Sequence, residues 1–360
     1  MYTISETYIK SYRLLETPTS LNISAATETG TNFIVNMIKP ILSAETYLAL
    51  AGVLAYTNIF VAVAGIITNI LVIITYTKIG FSESINITYL ALGISDLGAS
   101  VFRAWGSLCF VFDIASTNLP FHPTSIAITT SFYPAQGLEK TTAFLTAFLA
   151  FERCLCVQFP LHVRTIVTRQ KTMVSILVIY FFVFGPSNLS FIVCPFKWIF
   201  NHDQNRIVLA TVPLQNNLRF IITRALIAFY GSVLHFIALI TVWICTIFLA
   251  IGLKKKADSR IDSFKHSKDK QDRKKESHVI KMVFLISVTY LACSTPIAAT
   301  LLVPHFVPEF ESTRALARIN LVTHMFSALM AQLNSTVNLF IFLYMGSRFR
   351  QTFLTLFKKY

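Results

Sequence analysis

The chain has 360 residues, of which 54% are hydrophobic and 13% charged, and its mean hydropathy is +0.61. That balance excludes an ordinary water-soluble globular domain, in which about 25% of residues are charged. The net charge of +14 is concentrated, since 11 of the 31 basic residues fall between Lys254 and Lys281; a loop lying against an anionic leaflet or an acidic protein accounts for it without nucleic acid.

The first 45 residues are polar, rich in Thr and Ser, and lack the apolar region and cleavage site of a signal peptide. Residues 1–47 are read as an extracellular, disordered tail in which Asn22 opens the glycosylation acceptor Asn22-Ile23-Ser24. From Thr46 to Thr77 there is no charged residue, and a bilayer-crossing helix needs about 20 apolar residues. Further apolar runs cover 85–111, 128–157, 171–196, 219–253, 278–305 and 318–346. The expected fold is therefore an all-α membrane protein, a seven-transmembrane helix bundle over 48–346 with its third intracellular loop at 254–277. After it, Phe349, Phe353 and Phe357 recur every four residues, which predicts a short amphipathic interfacial helix within 347–360.

Lys and Arg are retained on the cytoplasmic side of a membrane. With the N-terminus outside, 20 basic residues lie inside, 9 outside and two, Arg103 and Lys140, within the membrane. This orientation and the plasma membrane are the expectation. Of six cysteines, Cys109 and Cys194 alone fall near the outer surface, where they are either one disulfide or two buried thiols.

Charged and polar groups inside a span are costly, so each marks function or a mutual partner. Asp96 and Arg103 lie in the second run, Glu139 and Lys140 in the third, and Asn334, Ser335 and Asn338 in the seventh. Two readings are open: the charges neutralise one another to hold the bundle, or Arg103, Glu139 and Lys140 contact a ligand. Adjacent Glu139 and Lys140 point about 100° apart on a helix and need not pair. No nucleophile with its base, metal-ligand cluster or phosphate-binding glycine loop is apparent, so no enzyme is expected.

Glu152-Arg153-Cys154 at the end of the third run, Asn69 in the first, Leu92 to Asp96 in the second, Cys293-Ser294-Thr295-Pro296 in the sixth and Asn334 to Phe342 in the seventh resemble, in order and position, the motifs of rhodopsin-like (class A) G-protein-coupled receptors. The phrases FERCLCVQFPLHVRTIVTRQKT and MGSRFRQTF are similar to an invertebrate branch of FMRFamide-type neuropeptide and chemosensory receptor-like proteins. The resemblance implies a switch in which Glu152 and Glu276 hold Arg153 at rest, with Asn338 and Phe342 in the same machinery. It implies an allosteric sodium ion held by Asp96, Thr142, Asn334, Ser335 and Asn338, whose oxygens suit a hard cation, and no other cofactor. It implies a ligand pocket lined by Arg103, Glu139, Lys140, Ser294 and Gln332.

Departures narrow this picture. Ser294 replaces the family's Trp, Leu339 and Phe342 replace its Pro and Tyr, and no cysteine stands near Ile128; Cys109 with Cys194 is the remaining candidate bridge. Gln332 takes the place of a retinal-binding Lys and Ala135 that of an amine-binding Asp, leaving a zwitterion, an acidic group or a charged peptide terminus as ligand chemistry. The expectation is a receptor for an extracellular peptide or small polar chemical that activates a heterotrimeric G protein. The alternatives are a channel or transporter using the intramembrane charges, and a seven-helix receptor that has lost coupling.

Overall fold

The computed structural model describes residues 41–115, 118–158, 167–201, 205–212, 231–252, 267–310 and 315–357. Lipid offers the backbone no hydrogen-bond partner, so an apolar run satisfies its own N–H and C=O groups by folding as a helix. Helix α1 (Ala44–Ile79) starts where Ser43 Oγ accepts from Thr46 N at 3.1 Å and stops at Gly80, whose φ of 85° an L side chain rarely adopts. Its face Tyr47, Ala51, Ala55, Asn58, Ala62 and Gly65 is buried, while Val53 and Phe60 on the other side are exposed. This is the stripe of a helix packed on one side and bathed in lipid on the other. At Gly65 a Cβ would lie 2.6 Å from Gln332 Nε2 and 2.7 Å from Ser100 Oγ; a larger residue would displace these polar groups.

Helix α2 (Ser84–Ile114) packs against α1. Helix α3 is built of three consecutive segments, Pro123–Ala127, a wide π turn at Ile128–Phe132, and Tyr133–Gln158. Helix α4 begins as Arg169–Ile179, widens at Tyr180–Phe184 and tightens at Gly185–Leu189, where Gly185-Pro186 interrupts regular bonding, before ending in Ser190–Val193. Helix α5 is described over Gly231–Gly252. Helix α6 (Ser267–Phe306) contains Pro296 and Pro304. Helices α7 (Ala317–Met345) and α8 (Ser347–Phe357) follow.

Six of these helices are long and apolar enough to cross a membrane: α1, α2, Arg169–Ile192 in α4, α5, His278–Phe306 in α6, and α7. Helix α3 is the long helix left out, because Glu139, Lys140, Glu152 and Arg153 interrupt its apolar residues. The largest buried cluster joins Tyr76, Tyr89, Leu145, Ile286, Phe342 and Phe349. Phe349 ties α8 to the bundle, its ring 5.0 Å from that of Tyr76 and 5.5 Å from that of Phe342.

Three expectations change. The chain is not purely helical: β1 (Phe196–Asn201) and β2 (Arg206–Thr211) form an antiparallel hairpin in register from Phe196↔Thr211 to Asn201↔Arg206. Both strands are rich in the aromatic and β-branched residues that suit a pleated surface. No disulfide joins Cys109 to Cys194; Cys109 is buried on α2, and Cys194 closes α4 through its N–H to Ser190 O at 2.9 Å. Helix α6 starts at Ser267, inside the stretch expected to be loop. Asn22, the rest of 1–40 and the basic segment 253–266 lie outside the described residues.

Candidate ligand site and switch

Arg103 projects from α2 and Glu139 from α3 so that the guanidinium grips the carboxylate twice, Nε to Oε1 at 2.7 Å and Nη2 to Oε2 at 2.8 Å. The two side chains are only 12% and 16% exposed, and the fork-to-fork geometry is the strongest form of this bond. Lys140, one residue on, faces the other way. Its Nζ lies 3.4 Å from where a Cβ on Gly231 of α5 would be, and among the described residues it donates to Gln136 Oε1, also at 3.4 Å. Glu139 and Lys140 thus serve different neighbours, as their angular separation requires. One turn beyond Gly231 stands buried His235, which is in hydrogen-bonding range of the Ser294 backbone on α6 and in electrostatic range of Lys140, and whose Nε2 has no partner among the described residues. His324 on α7 lies in range of Arg103. Ser294 is buried one turn after Tyr290 on α6, and Tyr290 packs with Ala238 and Val242 of α5.

Gln332 faces elsewhere. Its Nε2 donates to Ser100 Oγ at 2.7 Å, and together with Gly65 it fills the seam of α1, α2 and α7. His235 and His324 were not singled out in the sequence; the available signal was a titratable residue inside an apolar run.

The Asp96 network forms as a unit. Thr142 Oγ1 donates to Oδ1 at 2.7 Å, Asn338 Nδ2 to Oδ2 at 2.8 Å, and Ser335 Oγ to the Asp96 carbonyl at 3.2 Å. Asn69 Nδ2 reaches Ser335 O at 3.2 Å, tying α1 to the same point. Asn334 is buried nearby in sequence but bonds to none of them. The two hydroxyls and the Asn338 amide nitrogen all donate to Asp96, so among the described residues these protein groups are its partners, and Asn334 is the least integrated of the five expected residues.

At the far end of α3, Glu152 is 1% exposed and accepts from Thr172 Oγ1 of α4 at 3.0 Å. Among the described residues no hydrogen-bonded ion pair joins it to Arg153, whose charge nevertheless lies in electrostatic range; neighbouring helical residues diverge, and Glu152 bonds to α4. Arg153 keeps its buried Nε without a partner and lies in electrostatic range of Tyr89. The Tyr89 and Tyr76 rings sit 4.9 Å and 5.2 Å from that of Phe342, so hydroxyls absent from Phe342 stand on its neighbours. Glu276 lies on α6, with its side chain outside the described residues.

The hairpin is fastened over the start of α3 by polar bonds. Thr211 N donates to Ser125 Oγ at 2.9 Å and Thr211 Oγ1 to Ser125 O at 2.6 Å. His122 N donates to Leu209 O at 2.8 Å and Leu209 N to Pro120 O at 3.0 Å.

No curated protein matches the chain. The model of a family described as serpentine type 7TM GPCR chemoreceptor Srw matches residues 56–359. That match takes in all the helices above except the first turns of α1, and the chain is therefore a multi-pass membrane receptor belonging to the Srw family of serpentine chemoreceptors.

Proposed function

We propose that the chain binds a small polar chemical carrying an acidic group and relays its arrival to a heterotrimeric G protein. The observation that carries this reading is the charge imbalance at mid-bundle. Arg103 and Glu139 bond each other twice, while Lys140, in range of the Glu139 charge, has among the described residues only a long bond to an uncharged amide, and His235 Nε2 has no partner among them. An unpaired ammonium away from water is costly, and a carboxylate or comparable anion between α3, α5 and α6 would relieve it. A peptide carboxyl terminus offers the same chemistry. A C-terminally amidated peptide, the kind the resemblance to FMRFamide-type receptors and the wider rhodopsin-like class implies, would have to present the anion from an acidic side chain.

The receptor sits in the plasma membrane with its N-terminus outside. Helix α3 makes the seventh crossing, its polar side chains turned to protein rather than lipid, and α8 lies along the cytoplasmic interface. A ligand shifts a two-state equilibrium only by binding one state better. Drawing α5 and α6 toward Lys140 is such a differential contact. Pro296 and Pro304 interrupt α6 hydrogen bonding, and outward movement of the other end of α6 would open the space beside Arg153 to a G-protein helix. Glu276 would resist that movement by pairing with Arg153. Asp96, Thr142, Ser335 and Asn338 hold α2, α3 and α7 in register, and a sodium ion there would supply a positive charge for the carboxylate.

The test is ligand binding by the purified chain, read as a rise in unfolding temperature across a set of small carboxylic acids and their methyl esters. An acid that stabilises the wild type, with neither its ester nor the Lys140→Met variant responding, supports the reading. Equal response to acids and esters overturns it.

A further inference from the structure

The side chains of Cys154 on α3 and Cys245 on α5 meet across the two helices. Cys154 Sγ donates to the Cys245 carbonyl oxygen at 3.3 Å, although the two residues are 91 positions apart in the chain. The two sulfur atoms lie in hydrogen-bonding range of each other, and both are free thiols. Cys245 is buried in the main apolar cluster with Leu249, and Cys154 is partly buried against the same cluster. A cysteine fills space as a small apolar residue, and packing alone would not require its sulfur to face a second sulfur. With Cys154 held on the backbone of Cys245, a change of side-chain rotamer is enough to bring the sulfurs into bonding range, so neither helix has to move far. Cys156, two residues on, projects about 200° round α3 from Cys154 and does not compete for Cys245. Cys154 directly follows Arg153, which sets the pair at the level of the proposed switch.

We propose that Cys154 and Cys245 are a redox pair, oxidised by hydrogen peroxide to a disulfide that ties α3 to α5. Peroxide transfers one oxygen to the Cys154 sulfur as its O–O bond breaks, giving a sulfenic acid and one water. The Cys245 sulfur then attacks that sulfur: the S–S bond forms, the S–O bond breaks, and the departing hydroxyl takes the Cys245 proton to leave as a second water. Two thiols thereby lose two electrons and two protons, and one peroxide becomes two waters. A dithiol reductant reverses the step by thiol–disulfide exchange. On the proposed orientation the pair stands in the cytoplasmic half of the bundle, where glutathione keeps thiols reduced at rest, so the bridge forms only under an oxidant pulse. A covalent tie beside Arg153 opposes the helix separation that coupling requires, and oxidation should silence the receptor. That consequence rests on the receptor reading, whereas the bond itself does not.

The experiment exposes the full chain in lipid nanodiscs to hydrogen peroxide, blocks remaining thiols with N-ethylmaleimide and digests it for mass spectrometry. The expected product is a peptide pair joined through Cys154 and Cys245, two hydrogens lighter than the reduced peptides together and released by dithiothreitol. The same treatment should raise the unfolding midpoint of the wild type and of Cys156→Ser by about 5 °C. It should leave the midpoints of Cys154→Ser and Cys245→Ala unchanged, and their midpoints before oxidation show whether each variant is folded. Recovery of both cysteines singly, blocked or as sulfinic acids, overturns the proposal, as does Cys154 bridged to another cysteine as often as to Cys245. The effect on coupling is read on Glu276→Ala, whose ligand-independent exchange is expected to be raised, oxidised before the G protein is added. Exchange that falls on oxidation and returns with dithiothreitol supports the restraint. Unchanged exchange in a chain shown to be bridged overturns the restraint and leaves the receptor reading standing.

Discussion

Arg103 and Glu139 close a two-bonded pair across α2 and α3, and Lys140 is left as a cation with an amide for company. Removing one member of a buried pair strands the other charge, at a cost of about 3–5 kcal/mol. Arg103→Met should therefore abolish surface expression, whereas Arg103→Met with Glu139→Met should recover most of it; flow cytometry of an extracellular tag reads both. Lys140→Met removes only a long bond to the uncharged Gln136 amide and strands no charge, so it should express normally. Its expected effect is a loss of about 2 kcal/mol of acidic-ligand affinity, close to 30-fold in potency. Asp96, Thr142, Ser335 and Asn338 were legible because oxygen-bearing residues inside apolar runs stand out, and the structure brings them together. Gln332 was misleading, since position along α7 does not say that its side chain turns to Gly65. Tyr76 and Tyr89 were illegible for the opposite reason: aromatic residues in a membrane span carry no signal until Phe342 is seen between them.

At the scale of elements, helix positions were readable because bilayer thickness and backbone bonding fix them together. Helix α1 extends the expected run by two residues at each end. The hairpin was not readable from a search for spans, since strands of six residues do not register against runs of twenty. The onset of α6 at Ser267 was hidden by its Lys-rich composition, which reads as loop although Lys is a good helix former. The hairpin is held on α3 through Ser125 and Thr211, and each such bond contributes about 1 kcal/mol. Ser125→Ala with Thr211→Val should loosen it, seen as faster amide exchange at residues 206–211 with little change in the bundle. Unchanged exchange would mean that the pairing with Pro120 and His122 suffices. Cys109→Ser should leave expression intact under oxidising conditions, because Cys109 does not bridge the loop.

At the scale of the whole molecule, the Srw match and six apolar helices define a membrane receptor, which leaves the channel reading without support. On the proposed orientation, with the N-terminus outside, Asn22→Gln should remove a glycan, measured as a lost shift on treatment with a deglycosylating enzyme. The two ends of α3 connect the ligand and coupling readings, since Lys140 faces α5 at one level and Arg153 lies near Tyr89 at another. If Glu276 restrains Arg153, Glu276→Ala should raise ligand-independent nucleotide exchange severalfold. The most direct measurement is nucleotide exchange on a panel of G proteins in membranes bearing the wild type, Lys140→Met or Arg153→Ala, challenged with small acidic chemicals and peptides with free carboxyl termini. The account predicts exchange that depends on the acid, needs about 30-fold more ligand in Lys140→Met and is absent in Arg153→Ala at equal surface expression. Acid-dependent exchange that persists at full strength in both variants would contradict it.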